Sequence, residues 1–436
     1  MPEWRRKQVQ IHVVQPGQSL YSIAQTYRVP VEEIVQANQL QELPTLVPGQ
    51  ALVVPVTGQV YVVRPGDSFY RIAGRFGVDA EALARANGLS LNTPLQVGQR
   101  LYIPPGTRPP VDSNAYVEPF GETVSERLVQ ASRAAAPFLT YLAPFSFQAR
   151  RDGSLVAPPL DDLPGIARRA GATPMLVVTN LEEGQFSSEL GQAILTNPQV
   201  QETLLNNIIA LIQQHGFRDV HFDFEYLRPV DREAYNTFLR KAAERIRGAG
   251  AMISTALAPK TSATQTGQWY EAHDYPAHGQ IVDFVVLMTY EWGYSGGPPM
   301  AVSPINEVRR VIDYATTAIP PGKIMLGQNL YGYDWTLPYR PGGQYARAIS
   351  PQEAIRLAGQ YGVPIQYNTT AQAPWFRYTD AQGRTHEVWF EDARSIQAKF
   401  DLIKERGLRG ISYWKLGLAF PQNWLLLRDN FTVRKR

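Results

Sequence analysis

Cysteine is absent from all 436 residues of the chain. Its absence excludes disulfide bonds and thiolate metal sites, and it gives no firm indication of compartment. An excess of charge is also missing, since 42 Lys and Arg residues are balanced by 39 Asp and Glu residues to a net charge of +3. The composition therefore indicates no basic surface for nucleic acid, and we expect no nucleic-acid partner.

Long apolar runs are missing too. No segment approaches the length that spans a membrane, so we expect no membrane partner. The start of the chain is basic, but Gln8, Gln10, His12 and Gln15 interrupt any apolar stretch after it, and we predict no secretory signal peptide. With 44% hydrophobic and 19% charged residues, the composition is that of an ordinary globular protein, and the length suggests several structural units.

The first hundred residues contain a repeat. The segment His12–Ala24 recurs as Tyr61–Ala73, and the same offset relates Gly49 to Gly98. Self-similarity of this kind indicates two copies of one structural unit. Each copy predicts a strand, a Pro-Gly turn, two short helices and a closing strand, with a serine at the N-cap of the first helix.

These copies, at 10–56 and 59–105, resemble LysM modules, which are small βααβ domains that bind N-acetylglucosamine-containing glycans such as peptidoglycan and chitin. The alternative is a βααβ unit of unrelated purpose. In that family the ligand lies beside the turn before the first helix. The resemblance therefore implies a glycan-binding turn in each module, formed by Gly17, Gln18, Ser19 and Leu20 in the first and by Gly66, Asp67, Ser68 and Phe69 in the second.

Four prolines lie between Pro104 and Pro110 and predict an extended linker, which we place at 106–112, with little core shared across it. The second unit, 113–436, alternates strand candidates with helical stretches. The strand candidates are Asn114–Val117, Phe138–Leu142, Pro174–Val178, 219–225, Met252–Leu257, Phe284–Tyr290, Lys323–Leu330 and Gly410–Trp414. Eight such units predict an α/β fold, a (β/α)8 TIM barrel. A hairpin of Tyr367–Tyr378 and Arg384–Phe390 predicts a small β insertion before the last strand.

The fourth strand candidate, 219–225, has strict alternation of polar and apolar residues. Asp219, His221, Asp223 and Glu225 point to one side of the strand, and the apolar residues between them point to the other. A strand between two helices belongs to a parallel sheet that is covered on both faces, so the acids point into an enclosed space. Buried unpaired carboxylates are costly, and the carboxyl ends of barrel strands are where such barrels do chemistry. The pattern therefore predicts an active site around Glu225, with a polar barrel mouth that lacks catalysis as the alternative.

This strand resembles the DxxDxDxE signature of glycoside hydrolase family 18. Asp223 and Glu225 match its last two acids, whereas Arg218 and His221 stand where the family has Asp. Three other segments carry the resemblance: Met288-Thr289-Tyr290, Gln328-Asn329 with Tyr331-Gly332, and Trp414 at the end of the eighth strand. The resemblance covers 112–436 and implies substrate contacts at Trp414, Gln328, Tyr331 and Asn180.

The resemblance also implies a mechanism. In this family the acetamido oxygen of the substrate is the nucleophile. Glu225 would be the general acid and base, Asp223 would hold the acetamide N–H, and Tyr290 would bond the acetamido oxygen. A histidine at 221 could hydrogen-bond Asp223 and change the pH profile. His273 and His278 have poor spacing for a metal site, and we predict neither a metal nor a cofactor.

Paired LysM modules before a family 18 barrel resemble the spore cortex-lytic N-acetylglucosaminidases of endospore-forming bacteria. The segments Met288–Pro299 and Val388–Ser395 carry this resemblance. It implies a hydrolase of cortical peptidoglycan that contains muramic-δ-lactam, located in the spore coat and cortex and acting in germination. A chitinase or chitin-oligosaccharide hydrolase is the first alternative, and a lectin-like barrel without activity is the second. Retention of Glu225 argues against the lectin, while exo or endo cleavage and the oligomeric state stay open.

Overall fold

The computed structural model describes residues 8–41, 45–56, 59–104, 106 and 108–436. The basic start of the chain and the linker residues Pro105 and Thr107 lie outside these ranges. Among the described residues, no helix combines the length and the apolar character that crossing a membrane requires.

Two βααβ modules open the chain, as the repeat predicts. The first consists of Gln8–Val13, Leu20–Tyr27, Val31–Asn38 and Ala51–Val56, and the second of Gln59–Val62, Phe69–Phe76, Ala80–Ala86 and Arg100–Ile103. In each module the two strands pair antiparallel. Ser19 and Ser68 cap the first helices, since their side chains accept hydrogen bonds from the backbone N–H of Ser22 and Arg71.

Eight parallel strands close into a barrel, which confirms the predicted fold class. In chain order, barrel strands 1 to 8 are Pro110–Val117, Tyr141–Pro144, Thr173–Thr179, Asp219–Asp223, Met252–Leu257, Phe284–Leu287, Ile324–Asn329 and Gly410–Trp414. Each strand pairs with the next, and strand 8 pairs with strand 1, so the sheet has no open edge. Short strands at the rim or beside the barrel are Phe147–Ala149, Leu155–Val156, Leu181–Glu182, Gln185–Phe186 and Thr432–Val433.

Helices surround the barrel. Their bounds are Glu126–Ala135, Leu163–Arg169, Ser188–Thr196, Pro198–His215, Arg232–Gly248, Tyr275–Ile281, Ile305–Ala318, Ala393–Arg406 and Pro421–Asn430. The alternation of strand 4 determines its packing. Phe222 and Phe224 point outward and meet Phe238 of the helix Arg232–Gly248, with ring centroids 5.3 and 6.3 Å apart. The polar residues of the strand are left to point into the barrel.

The insertion between strands 7 and 8 is larger than the predicted hairpin. Its five antiparallel strands are Gly332–Thr336, Arg347–Ile349, Gln366–Asn368, Ala373–Thr379 and Thr385–Trp389, and the helix Pro351–Gln360 packs beside them. The predicted hairpin lies at Ala373–Thr379 and Thr385–Trp389, with Thr379 opposite Thr385. Tyr367 belongs to a separate short strand, because the chain turns between Asn368 and Ala373.

Several strand boundaries differ from the sequence expectation. Strand 1 begins at Pro110, so the end of the predicted linker 106–112 is already part of the barrel. Strand 2 begins only at Tyr141, because Ala136–Phe138 forms a 3₁₀ turn. Strand 4 ends at Asp223 and strand 6 at Leu287, so Glu225 and Tyr290 lie just beyond the strand ends.

The expectation of little shared core is wrong for the first module. Val9, Ala37, Ala51 and Val53 belong to the same buried apolar cluster as the barrel. The backbone N–H of Ile365 in the insertion donates to the carbonyl of Pro48 at 2.9 Å. The guanidinium of Arg394, in the barrel helix Ala393–Arg406, donates to the carbonyl of Gly49 at 3.1 Å. The second module has a core cluster of its own. The first module is therefore docked on the barrel despite the proline-rich segment that follows the second.

Candidate active site

A cleft of about 780 Å³ opens at the carboxyl ends of the barrel strands. Aromatic side chains dominate its lining, which includes Tyr116, Phe145, Phe186, Tyr226, Trp269, Tyr270, Tyr290, Tyr294, Tyr331, Tyr333 and Trp414. The acids in its lining are Glu118, Asp223, Glu225 and Glu291. A cleft with flat apolar walls and a few carboxylates suits a carbohydrate, whose rings stack on aromatic faces while their hydroxyl groups need polar partners.

Glu225 is held on both its backbone and its side chain. The amide side chain of Asn180, directly after strand 3, accepts from the Glu225 backbone N–H and donates to the Glu225 carbonyl, both at 2.9 Å. The carbonyl of Phe224, the residue before Glu225, accepts a hydrogen bond from His273 Nε2 at 2.9 Å. The indole Nε1 of Trp269 donates to Glu225 Oε2 at 2.7 Å. The carboxyl group therefore has a fixed direction and keeps Oε1 for another partner.

Asp223 lies beside Glu225 on the barrel side of strand 4. Its Oδ1 is buried and has no hydrogen-bond partner among the described residues. Burial raises the pKa of Asp223. Burial and then the charge of Asp223 raise the pKa of Glu225 well above its usual range, and the Trp269 hydrogen bond opposes this. The geometry thus favours the protonated form of Glu225, as a general acid requires, and leaves Asp223 an oxygen that can accept a hydrogen bond.

Tyr290 and Trp414 complete this part of the cleft. Burial raises the pKa of Tyr290 well above its usual range, and the nearby Tyr116, Asp223 and Glu225 add to the effect. The phenol therefore stays protonated and can donate a hydrogen bond next to the two acids. The half-buried Trp414 is fixed edge-on by Tyr116 and Phe145, with ring centroids 5.4 and 4.7 Å away. One indole face can therefore lie under a sugar ring.

A hydrogen-bonded chain runs beneath the acids. The Ser254 hydroxyl donates to Asp219 Oδ1 at 2.7 Å, which leaves its oxygen to accept from His221 Nδ1 at 2.8 Å. His221 Nε2 then accepts from the Tyr116 hydroxyl at 2.9 Å. Burial lowers the pKa of His221 to about 3 and raises that of Asp219 to about 8. His221 is therefore neutral, and these bonds take both of its ring nitrogens, so the expected hydrogen bond to Asp223 is not made.

The model for glycosyl hydrolases family 18 matches residues 182–419, which contain Asp223, Glu225, Tyr290 and Trp414. The chain belongs to family 18. The LysM model matches residues 12–55 and 61–104, so both sequence resemblances are confirmed.

Two relatives resemble this family 18 enzyme over nearly its whole length. The cortical fragment-lytic enzyme of Bacillus subtilis (strain 168) is 66% identical over 98% of this chain and 99% of its own length. The crystal structure of the Bacillus cereus spore cortex-lytic enzyme SleL has a TM-score of 0.90 and 53% identity, covering 98% of this chain and 99% of that one. The chitinase from Chromobacterium violaceum ATCC 12472, at 22% identity and a TM-score of 0.67, shares the fold over 73% of this chain.

The structure brings together four of the residues that the sequence predicts at the barrel site, which are Glu225, Asp223, Tyr290 and Trp414, and places Tyr331 in the same cleft. Asn180 is fully buried, and its amide is occupied by backbone groups, so it positions Glu225. Gln328 is buried in strand 7 and donates to Asn329, away from the cleft lining. These two stay predictions as substrate contacts, and their geometry favours supporting roles.

The predicted glycan-binding turns use their side chains largely to hold their own shape. Gln18 accepts from the backbone N–H of Gln15 at 2.8 Å, and Asp67 accepts from that of Arg64 at 2.8 Å. Phe69 is buried in the core of its module. A ligand at these turns would therefore meet mainly backbone groups, and the binding role of the turns stays a prediction.

Sequence reasoning missed Trp269 and Glu291. Trp269 lies in the loop after strand 5, and no motif links it to Glu225. Glu291 follows Tyr290 and has a positive φ of 67°. Its carboxylate accepts hydrogen bonds from the hydroxyl groups of Tyr331 and Tyr333, and its pKa is raised by burial. The sequence signal for Glu291 is its place as a charged residue directly after the predicted Met-Thr-Tyr segment. Among the described residues, no group of three or more His, Cys, Asp and Glu side chains is placed to hold a metal ion.

Proposed function

We propose that this enzyme cleaves N-acetylglucosaminyl bonds in spore-cortex peptidoglycan by retaining, substrate-assisted catalysis, and that it acts in germination. The observation that carries the proposal is the pairing of the buried Glu225, whose pKa is raised, with Asp223, whose buried Oδ1 has no hydrogen-bond partner among the described residues. The substrate class is supported by relatives of 55 to 66% identity that are named cortical fragment-lytic enzymes. The coverage of 98% of the chain means that both modules and the barrel are part of this likeness.

The proposed reaction begins with proton transfer. Glu225 donates its proton to the glycosidic oxygen while the acetamido oxygen of the same sugar attacks its anomeric carbon, and the leaving glycan departs. Asp223 accepts a hydrogen bond from the acetamide N–H and stabilises the positive charge of the oxazolinium ring. The Tyr290 hydroxyl donates to the acetamido oxygen. Glu225, now a carboxylate, removes a proton from water, which opens the ring at the anomeric carbon with overall retention.

The LysM modules would hold the enzyme on its polymer. We propose that the turns at Gly17–Leu20 and Gly66–Phe69 bind peptidoglycan glycan through their backbone N–H groups. Two modules on one chain raise the local concentration of the barrel at an insoluble substrate. On this proposal the enzyme works in the spore coat and cortex.

The substrate is tested by giving the enzyme cortical fragments that contain muramic-δ-lactam and, separately, chitin oligosaccharides. Mass spectrometry of the products should show fragments that end in N-acetylglucosamine, formed faster from the cortical substrate. A clear preference for chitin would favour the chitinase alternative, and binding without hydrolysis of either would favour the lectin-like one. Product lengths would distinguish exo from endo cleavage.

The catalytic assignment is tested with Glu225→Gln. An amide of the same shape cannot donate the acid proton, so the rate should fall by about 100- to 10,000-fold while glycan binding is retained. The surface exchange Glu189→Gln is the control. NMR of the first product should show retained anomeric configuration. Inversion, or a glycosyl ester trapped on a carboxylate, would contradict the roles of Asp223 and Tyr290.

A further inference from the structure

The cleft wall next to Trp414 contains a charged group that the reaction does not use. The ammonium group of Lys415 pairs with the carboxylate of Glu118, which follows strand 1. It lies 5.4 Å from the ring centroid of Trp414 and 5.3 Å from that of Phe120. Phe120 is 75% exposed. The ammonium group of Lys415 is thus close to both the ring of Trp414 and the exposed ring of Phe120.

Lys415 is the one basic residue in the cleft lining of the described chain, and every other charged residue there is an acid. The side chains of Lys415 and Glu118 are 27% and 21% exposed, so the pair can be reached from the cleft. An ammonium group has three N–H donors, and Glu118 engages only one side of it. Burial lowers the pKa of Lys415, which means that its charge is incompletely solvated. A further anion at this point would be stabilised.

Binding of a neutral glycan would not explain the ammonium group of Lys415 in the cleft. In a chitin chain every sugar is uncharged, so an ammonium in the cleft could only form hydrogen bonds. In peptidoglycan the N-acetylglucosamine residues alternate with sugars that carry a lactyl ether. Where its carboxyl group is not closed into a δ-lactam, it is free or extended by a peptide that ends in carboxylates. A cation beside Trp414, on which a sugar ring can lie, suits peptidoglycan better than chitin, because a charge-assisted hydrogen bond to a carboxylate is stronger than a neutral one.

We propose that Lys415 is a specificity-determining residue that binds a carboxylate carried by the glycan on Trp414. Glu118 holds the ammonium group in place and competes with the ligand carboxylate. This inference rests on the proposed function, since it assumes that a peptidoglycan strand occupies the cleft. Beyond that function, we infer that the enzyme recognises the acidic substituent of the peptidoglycan strand as well as its acetamido sugar.

The test uses two forms of one oligosaccharide of alternating N-acetylglucosamine and N-acetylmuramic acid, with the lactyl carboxyl group free or converted to its methylamide. The wild-type enzyme should have a kcat/KM about tenfold higher for the free acid, an effect typical of one charge-assisted hydrogen bond. Lys415→Met keeps the alkyl stem, and for this variant the ratio of kcat/KM between the free acid and the methylamide should be about one. Lys415→Arg should keep most of it. Glu118→Gln should increase it, because the competing carboxylate is gone.

The control is Lys241→Met, which removes a lysine that pairs with Glu202 away from the cleft and should keep the wild-type preference. Calorimetric binding of the two oligosaccharides to the Glu225→Gln variant, with and without Lys415→Met, gives the same comparison without catalysis. Equal kcat/KM for the two forms in the wild type, equal affinity for them in Glu225→Gln, or a preference that survives in Lys415→Met, would overturn the inference. Failure of the proposed function is distinct, because then neither oligosaccharide is hydrolysed while the binding comparison still decides the role of Lys415.

Discussion

The indole of Trp269 determines which oxygen of Glu225 is available for the reaction. Its Nε1 donates to Oε2 at 2.7 Å, so in the proposed mechanism the proton that Glu225 gives to the substrate is on Oε1. This hydrogen bond favours the ionised carboxylate and lowers the pKa of Glu225, against the raising effects of burial and Asp223. Trp269 is thus a positioning residue that also tunes the acid.

Trp269→Phe should move the pH profile. Without the indole N–H the pKa of Glu225 rises further, so the basic limb of kcat/KM, where the acid loses its proton, should shift to higher pH. The maximal rate should fall by about tenfold, as expected for the loss of one hydrogen bond to a charged group. Trp375→Phe is the control, since Trp375 stacks on Trp389 within the insertion. An unmoved basic limb would mean that Trp269 only packs against the acid.

Asp219 at the bottom of the hydrogen-bonded chain makes folding depend on pH. Its pKa is about 8 in the folded state against an ordinary value of 3.8, because burial disfavours the charge. Between these values the folded state holds a proton that the unfolded state releases. The stabilisation from Asp219 is therefore complete below about pH 4 and is lost as the pH rises to about 8.

Asp219→Asn should remove this dependence. The variant should gain stability relative to the wild type as the pH rises from 5 to 8, and the gain should level off above pH 8. Urea unfolding at pH 5, 7 and 9 measures the difference in the free energy of unfolding. If the difference in the free energy of unfolding between the variant and the wild type stays constant from pH 5 to 9, Asp219 is ionised in the folded protein.

At the scale of elements, the contact between the first module and the insertion is the feature to test. Gly49 has a φ of 84°, and a Cβ there would lie 1.8 Å from the carbonyl oxygen of Ile365. Gly98 is its repeat equivalent with a φ of 86°, and a Cβ there would meet nothing within 4 Å. The two positions share the same backbone strain and differ in the contact with the barrel.

Gly49→Ala should therefore destabilise the protein more than Gly98→Ala. Both exchanges incur the cost of a left-handed alanine, about 1–2 kcal/mol. Only Gly49→Ala adds a steric clash, which should cost roughly 1–3 kcal/mol more or separate the module from the barrel. Thermal unfolding and limited proteolysis of the two variants measure this. Equal losses would indicate that the module is not docked in solution.

At the scale of the whole molecule, the two modules offer exposed aromatic rings at the same repeat position. Tyr21 is 66% and Tyr70 is 68% exposed, each directly after a predicted glycan-binding turn. A docked first module and a second module with its own core thus present two similar surfaces from one chain. Binding of both to one polymer makes the second contact intramolecular.

Tyr21→Ala together with Tyr70→Ala should weaken retention on insoluble peptidoglycan by at least about tenfold, more than either exchange alone. Hydrolysis of soluble fragments should change little, because both residues lie outside the cleft. Val97→Ala is the control, since Val97 is a similarly exposed apolar residue of the second module. A pull-down on purified sacculi measures retention, and unchanged retention of the double variant would argue against these surfaces.

The barrel, the two modules and the position of the proposed catalytic acids can all be predicted from the amino-acid sequence. These follow from short-range patterns: a repeat, the alternation of strand 4, and acids at the end of a strand that must be buried on both faces. Periodicity reveals which side of an element is enclosed, and a motif reveals which chemistry stands there. Glu225, Asp223 and Tyr290 could therefore be predicted together.

The hydrogen-bond partners of these residues, in contrast, follow from the folded structure and not from any local pattern. Trp269 reaches Glu225 from a loop that no local pattern connects to it, and His221 bonds Tyr116 and Ser254 instead of the neighbouring Asp223. Proline content predicted a separate first module, yet an apolar surface on that module is covered by the barrel. Such contacts depend on how distant surfaces fit and on which buried polar groups find partners, and no pattern within a single element contains that information.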